Sequence, residues 1–364
     1  MAALDNKKTN TIQSEQQRII GLDILRIGLA LFIFCFHSRV HLSCDYGVLN
    51  YLFDSPNLGM IGFFMLSGYA LQLAYNANEM TEPSHLKKFY LKRLISIYPL
   101  YIIMGYLSVL LSIIVGRQSL LDNIVLLPVE ILGFQSFFDG SLFSYAHNGG
   151  TWFISCIFGC YFLFPFIKSL SKNITIKVTF WIIVVLVVLL TYVHFLPSRF
   201  PCGDLYTNPF FRFFEFFLGM LIAKLNISIV NNDGMMRIIR SWPVLLIAII
   251  VLLVGYSYCR FVGIKSYFLV YTCFVIVFLC LGYIKFPKNL KNKFILYASS
   301  LSFAVYLSQG LVWKFVKFLQ LYVGEINNFV KITGSFMACV IISIFFHEFV
   351  EKRFGSYIKK KIIP

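Results

Sequence analysis

GLDILRIGLALFIFCFH, residues 21–37, is an apolar run of helix length that carries an aspartate, an arginine and a histidine inside it. On an α-helix each residue turns about 100° and rises about 1.5 Å. Arg26 and His37 therefore point within about 20° of one another, and Asp23 falls within about 60° of both. Small Ala30 lies between them, while Leu25, Leu29, Phe32 and Phe36 point elsewhere. The same geometry separates Arg26 and His37 by about 16 Å along the axis. Ionisable groups inside an apolar span are costly and mark functional positions when they are not simply paired. Asp23 and Arg26, three residues apart, also form an ordinary helix-start ion pair, and His37 also packs as a hydrogen-bonded core imidazole. As chemistry, a neutral imidazole takes and returns a hydroxyl proton, which is the work of a general base.

Around this stretch the chain is overwhelmingly apolar. Of 364 residues, 59% are hydrophobic and 13% are charged, against about 45–50% and about 25% in soluble domains. That excludes a soluble enzyme, a disordered chain and a disulfide-rich secreted scaffold. The nine cysteines lie mostly inside apolar runs and contain no CxxC pair, so they read as small core residues. A spanning helix needs about 20 mostly apolar residues. Ten runs meet or approach this: 20–38, 58–76, 94–116, 151–168, 177–196, 208–226, 242–258, 267–284, 297–320 and 331–350. An eleventh stretch, 122–138, is short and holds Asp122, Pro128, Glu130 and Gln135.

Lys and Arg number 32 against 16 Asp and Glu, a net charge of +16. The positive charges cluster between apolar runs with no basic domain to hold a duplex, so no nucleic-acid partner is expected. With ten spans and the N-terminus inside, 22 of the basic residues fall on the inner side and 8 on the outer, with Arg26 and Arg212 within spans. That is the positive-inside pattern, and it would collapse if 122–138 also crossed. The expected fold is an all-α polytopic membrane bundle of about ten transmembrane helices, plus one short re-entrant or interfacial helix at 122–138, with both termini cytoplasmic. Residues 1–19 form a tail without a cleavable leader, 20–355 the membrane domain, and 356–364 a short basic tail. No fused module is expected after residue 350.

Further polar groups enter other spans. KKFYLKRLISIYPLY (87–101) brings Lys87, Lys88, Lys92 and Arg93 to a membrane edge. The cluster is either a topological anchor or a phosphate clamp, since Lys and Arg bind phosphoryl groups well. GMIGFFMLSGYAL (59–71) contains Gly59, Gly62, Ser67 and Gly68, which permit close helix approach. Trp152 opens the run after Gly150, and Arg212 and Glu215 sit three residues apart in NPFFRFFEFFLGM (208–220), either as a packing pair or as a substrate contact. SLSFAVYLSQG (300–310) adds Ser300, Ser302, Ser308 and Gln309. FHEFVEKRF (346–354) has only a distant likeness to a zinc HExxH, and no metal is expected.

In order along the chain, LDILR…H (22–37), GFFMLSGY (62–69), FYLKRLISIYPLY (89–101), TWFISCIFGCYFLFP (151–165), RFFEFFLGM (212–220), SFAVYLSQ (302–309) and FVEKRF (349–354) resemble the acyltransferase-three family of membrane acyltransferases. The resemblance implies transfer of an acyl group, usually acetyl, from cytoplasmic acyl-CoA to a hydroxyl of a glycan. It implies no resident metal, and a multi-pass protein of a bacterial inner (plasma) membrane with lipid, donor and glycan as partners. His37 and Arg26 match the family's essential first-helix pair, with Asp23 beside them. Arg93 matches the first arginine of a paired-arginine motif and, with Lys92, Lys88 and Lys87, is the expected donor site. Trp152, Arg212, Glu215 and Gln309 are the expected acceptor contacts. Departures are Ser96 at the second arginine, Ile157 where many relatives carry glutamate, and Gln309 where a histidine is common. The mechanism this implies has His37 deprotonate the acceptor, or transiently hold the acetyl group itself, while Arg26 stabilises the oxyanion or positions CoA. A glycan exporter or flippase, and a membrane glycosyltransferase, are the readings it displaces: no repeat-related halves are apparent, and the outer acidic residues are scattered.

Overall fold

A computed structural model describes residues 19–114, 128–137, 150–196, 199–200, 203–229, 232–262, 266–287 and 293–362. Each of the ten apolar runs is a helix: α1 Ile20–Leu42, α2 Asn57–Ala74, α3 Pro83–Ile114, α4 Trp152–Ser171, α5 Ile176–Val193, α6 Pro209–Ile229, α7 Trp242–Val262, α8 Ser266–Leu281, α9 Lys293–Val323 and α10 Asn328–Phe346. After α10 the chain continues through a π-helical segment, His347–Phe354, into α11, Gly355–Ile362. Among the described residues the strand pairing is a two-residue ladder, Arg199–Phe200 with Gly203–Asp204. The architecture is all-helical.

Seven helices are long and apolar enough to cross a membrane, or eight if a short helix, Asp233–Ile239, and α7, bent by 56°, count as one span. α8 has only 16 residues, and α6 carries Arg212, Glu215 and Lys224 within its length. The expected number of ten therefore corresponds to ten helices in the expected places, of which seven or eight meet the length and apolarity needed for crossing.

Residues 1–18, 115–127 and 138–149 lie outside the described residues, so nearly all of the expected N-terminal tail and the start of 122–138 do too. Residues 128–137 form a short helical turn and a 3₁₀ turn, Gln135–Phe137, docked on the start of α4. Gln135 Nε2 donates to Thr151 O at 2.8 Å, Ser136 Oγ to Trp152 O at 2.9 Å, and Ser155 Oγ to Gly133 O at 2.6 Å.

Lipid tails are as apolar as leucine, so helix association in a bilayer relies on small residues, van der Waals contact and interhelical hydrogen bonds. The two glycine-bearing motifs meet on this principle. α2 and α6 approach so closely that a Cβ on Gly68 would sit 1.9 Å from Phe216 O, and one on Gly219 would sit 2.0 Å from Met65 O. Each glycine receives the other helix's backbone, and Asn226 Nδ2 donates to Tyr69 Oη at 2.6 Å one turn further along. Gly59 and Gly62 make the same accommodation for Ile33 and Leu29 of α1. The core around these contacts is fully buried Ile61, Phe64, Met65, Phe164, Phe216 and Ile222.

α1 and α9 run side by side in the same direction: Arg26 meets Ser299, and two turns later the rings of Phe34 and Trp313 lie 5.3 Å apart. This pairing fixes which face of α1 looks into the bundle.

Gly68→Ala and Gly219→Ala should each destabilise the purified protein, by about 1–3 kcal/mol as overpacking does. Gly334→Ala, which meets nothing within 4 Å, should leave thermal unfolding in detergent unchanged. Equal stability of all three would refute the tight α2–α6 contact.

Candidate functional site

Arg26 sits at the start of the polar stripe on α1. Its guanidinium lies 3.7 Å from the Asp23 carboxylate and donates to Ser299 Oγ at 3.3 Å. Ser299 in turn donates to Asp23 Oδ1 at 2.6 Å. Asp23 is 3% exposed, whereas the Arg26 side chain is about a third exposed. The aspartate and serine thus hold the arginine, and its side chain lines a cavity. A buried carboxylate without such partners would carry a large desolvation penalty.

That cavity, ≈ 450 Å³, is lined by Arg26 of α1, Arg93 and Ser96 of α3, Tyr161 of α4, and Ser299, Ser300 and Tyr306 of α9. Met60, Phe63 and Ser67 of α2 also line it, and the segment after α10 adds His347, Glu351, Lys352 and Lys359. The volume lies within the usual range of small-molecule sites. Arg93 is packed against the rings of Tyr75, Phe89 and Tyr161 at 5.5–5.8 Å, and its Nη2 donates to Tyr75 Oη at 2.8 Å. Its Nε is buried with no partner. Of the expected donor residues, only Arg93 lines the cavity. Lys87 and Lys88 are exposed near the start of α3, and Lys92 is half-buried outside the lining.

The chain end was not legible as part of a site from its near-match to HExxH. His347 is 6% exposed; its Nδ1 pairs with the Glu351 carboxylate and its Nε2 lies 3.2 Å from Ser300 Oγ. Glu348 accepts from Tyr297 Oη at 2.9 Å and pairs with Lys352 at 2.6 Å. The signal available in sequence was the density of polar groups, HE..EK, directly after an apolar run. Among the described residues no cluster of three His, Cys, Asp or Glu is placed to hold a metal ion.

His37 lies further along the same face of α1 and is not part of the cavity lining. It is half-buried, with its ring stacked parallel to His41 at 5.5 Å and edge-on to Phe36 at 5.0 Å. On the adjoining stretch of α9, the buried amide of Gln309 has neither atom bonded, and the buried Trp313 indole nitrogen also has no partner. Buried polar groups are ordinarily satisfied, so unbonded ones call for a water or a ligand.

Trp152, Arg212 and Glu215 form a separate buried group. Arg212 Nη1 contacts both Glu215 oxygens at 2.8–2.9 Å, and Tyr271 Oη donates to Glu215 Oε1 at 3.0 Å. The guanidinium lies over the rings of Tyr206, Trp152 and Phe64 at 4.9–5.6 Å. Arg212 and Glu215 line a smaller cavity of ≈ 170 Å³ with His194 and Asn57, and Trp152 is not among its lining residues. Arg212 Nε also donates to Tyr206 O at 2.8 Å, so both charges are held on several sides within the bundle. Arg212→Met should cost about 3–5 kcal/mol, the penalty of a stranded buried charge. Arg212→Met with Glu215→Leu should recover much of it in the same unfolding assay.

Two comparisons bear on these features. The family described as Acyltransferase domain matches residues 19–348, which takes in Arg26, His37, Arg93 and the cavity wall up to His347. The acyltransferase MdmB of Streptomyces mycarofaciens is 26% identical over 193 residues, which is 51% of this chain and 48% of that protein. The chain thus spans about half the length of the curated relative it matches. No solved structure matches it. A polytopic helical bundle with a cationic chamber, matched along almost its whole length, settles the affiliation: the chain belongs to this family of membrane acyltransferases.

Proposed function

We propose that the protein is an integral membrane O-acyltransferase that moves acetyl from cytoplasmic acetyl-CoA to a hydroxyl of a cell-surface or exported polysaccharide, in the inner membrane of a bacterium. The observation that carries this reading is the arrangement on α1. Arg26 stands in a cation-lined cavity, and His37 stands about 16 Å further along the same helix face. CoA is a polyanion with a long neutral arm ending in a thioester. Its phosphates suit the arginine- and lysine-lined chamber, and its arm suits the stripe beyond. At that separation Arg26 serves to position CoA.

In the proposed reaction the acceptor hydroxyl gives its proton to the His37 imidazole and its oxygen attacks the thioester carbonyl. The carbon–sulfur bond breaks, the ester forms, and the departing thiolate takes the proton from the imidazolium. The imidazole is left neutral for the next turn. Gln309 and Trp313, with buried donors unbonded, supply hydrogen bonds suited to a sugar.

Removal of the protein should abolish alkali-labile esters on the surface polysaccharide while chain length and amount stay normal. Loss of the polymer itself would instead indicate export. His37→Ala, expressed to the same level, should lower ester content by the about 10²–10⁴-fold typical of a lost general base. Full acetylation by that variant would refute the assignment.

A further inference from the structure

The donor cavity has a wall that the first-helix and third-helix motifs do not account for. Resting on the reading of acyl-CoA as donor, we propose that Lys352 and Lys359, presented by the π-helical turn and α11, join Arg93 as the clamp for the phosphates of coenzyme A.

The placement is specific. Besides Arg26, the arginine and lysine side chains that line the chamber are Arg93 and the distant Lys352 and Lys359, while Lys87, Lys88 and Lys92, close to Arg93 in sequence, do not line it. Ser96, one turn after Arg93, also lines it. A short hydroxymethyl group there leaves room that a second long basic side chain on α3 would fill, and the chain end brings its lysines to the same chamber. Arg93 is held by a tyrosine hydroxyl and three rings, with no carboxylate bonded to it among the described residues and its Nε buried without a partner. Its positive charge is fixed in place and left for an incoming anion.

The local backbone explains how these lysines reach the chamber wall. π-helical turns are rare and concentrate at functional sites. This one, His347–Phe354, is pinned at two points: His347 between Ser300 and Glu351, and Glu348 beneath Tyr297. Glu351, the carboxylate in the lining, is engaged by His347. Lys352 pairs with Glu348, but both side chains are more than a third exposed, and such pairs contribute little. A phosphate competes for that ammonium at small cost. Charge-assisted contacts to phosphate are about twice as strong as neutral hydrogen bonds, so the three cations together give affinity for the nucleotide half of the donor and none for its thioester arm.

The test separates those halves. Full-length protein in detergent is titrated with coenzyme A and with adenosine bisphosphate, the phosphorylated nucleotide half, and its acetyl transfer is followed with acetyl-CoA and with S-acetylpantetheine, which lacks the phosphates. Lys352→Gln combined with Lys359→Gln should weaken both nucleotide ligands by about tenfold or more and raise KM for acetyl-CoA to match. It should leave the kinetics with S-acetylpantetheine unchanged. Lys352→Arg with Lys359→Arg, which keeps charge and reach, should retain wild-type affinity. Unchanged coenzyme A binding in the glutamine variant, or equal loss with both acetyl donors, overturns the clamp while leaving the acyltransferase reading in place. A wild-type protein that neither binds coenzyme A nor transfers acetyl from it overturns that reading and the clamp with it.

Discussion

A guanidinium cannot be left alone inside an apolar bundle, and the way Arg26 is held organises what surrounds it. Asp23 supplies the countercharge from one turn earlier, and Ser299 ties the pair to α9 by giving its proton to the aspartate and accepting one from the arginine. That three-way contact fixes the rotation of α1 against its neighbour. Once it is fixed, every residue on the same stripe is committed, so His37 is carried to the same side of the helix by the geometry of the rod. The reciprocal glycine contacts of α2 and α6 then hold the remainder of the bundle close enough for the chamber to keep its shape.

In the proposed reaction the chamber and the far imidazole are the two ends of one path. Its lining mixes arginine and lysine with serine and tyrosine hydroxyls and aromatic walls, a combination suited to an anion attached to a flexible neutral chain. Low dielectric strengthens every charge contact inside such a site, and it favours a partner for any charge buried elsewhere in the bundle. Arg212 and Glu215 have charged partners in each other, whereas Arg93 is held by a tyrosine hydroxyl and aromatic rings.

Much of this was legible in the sequence because membrane helices obey simple arithmetic. Apolar runs of helix length, interrupted by punctuation, gave ten helices within a few residues of their observed ends, except α3, which starts eleven residues before the run at 94, and the period of the helix placed Asp23, Arg26 and His37 on one stripe. What the arithmetic could not give was which helices touch. Lys87, Lys88 and Lys92 sit beside Arg93 in sequence, but the helix turns them away from the cavity; Lys352 and Lys359 lie more than 250 residues away and line it. Likewise, the density of polar groups in HEFVE marked the segment but not its partners, because those of His347 and Glu348 include Ser300 and Tyr297 of another helix. Interhelical hydrogen bonds depend on packing, and packing has no period to read.

The central claim is that donor and acceptor meet along the inward face of α1, and an experimental structure of the full chain with coenzyme A bound tests it most directly. The account predicts the nucleotide phosphates in the chamber beside Arg93, with the pantetheine arm running past Arg26 and the sulfur directed toward His37. Coenzyme A seated elsewhere, or a His37 side chain turned out into lipid with no opening to that chamber, would contradict it.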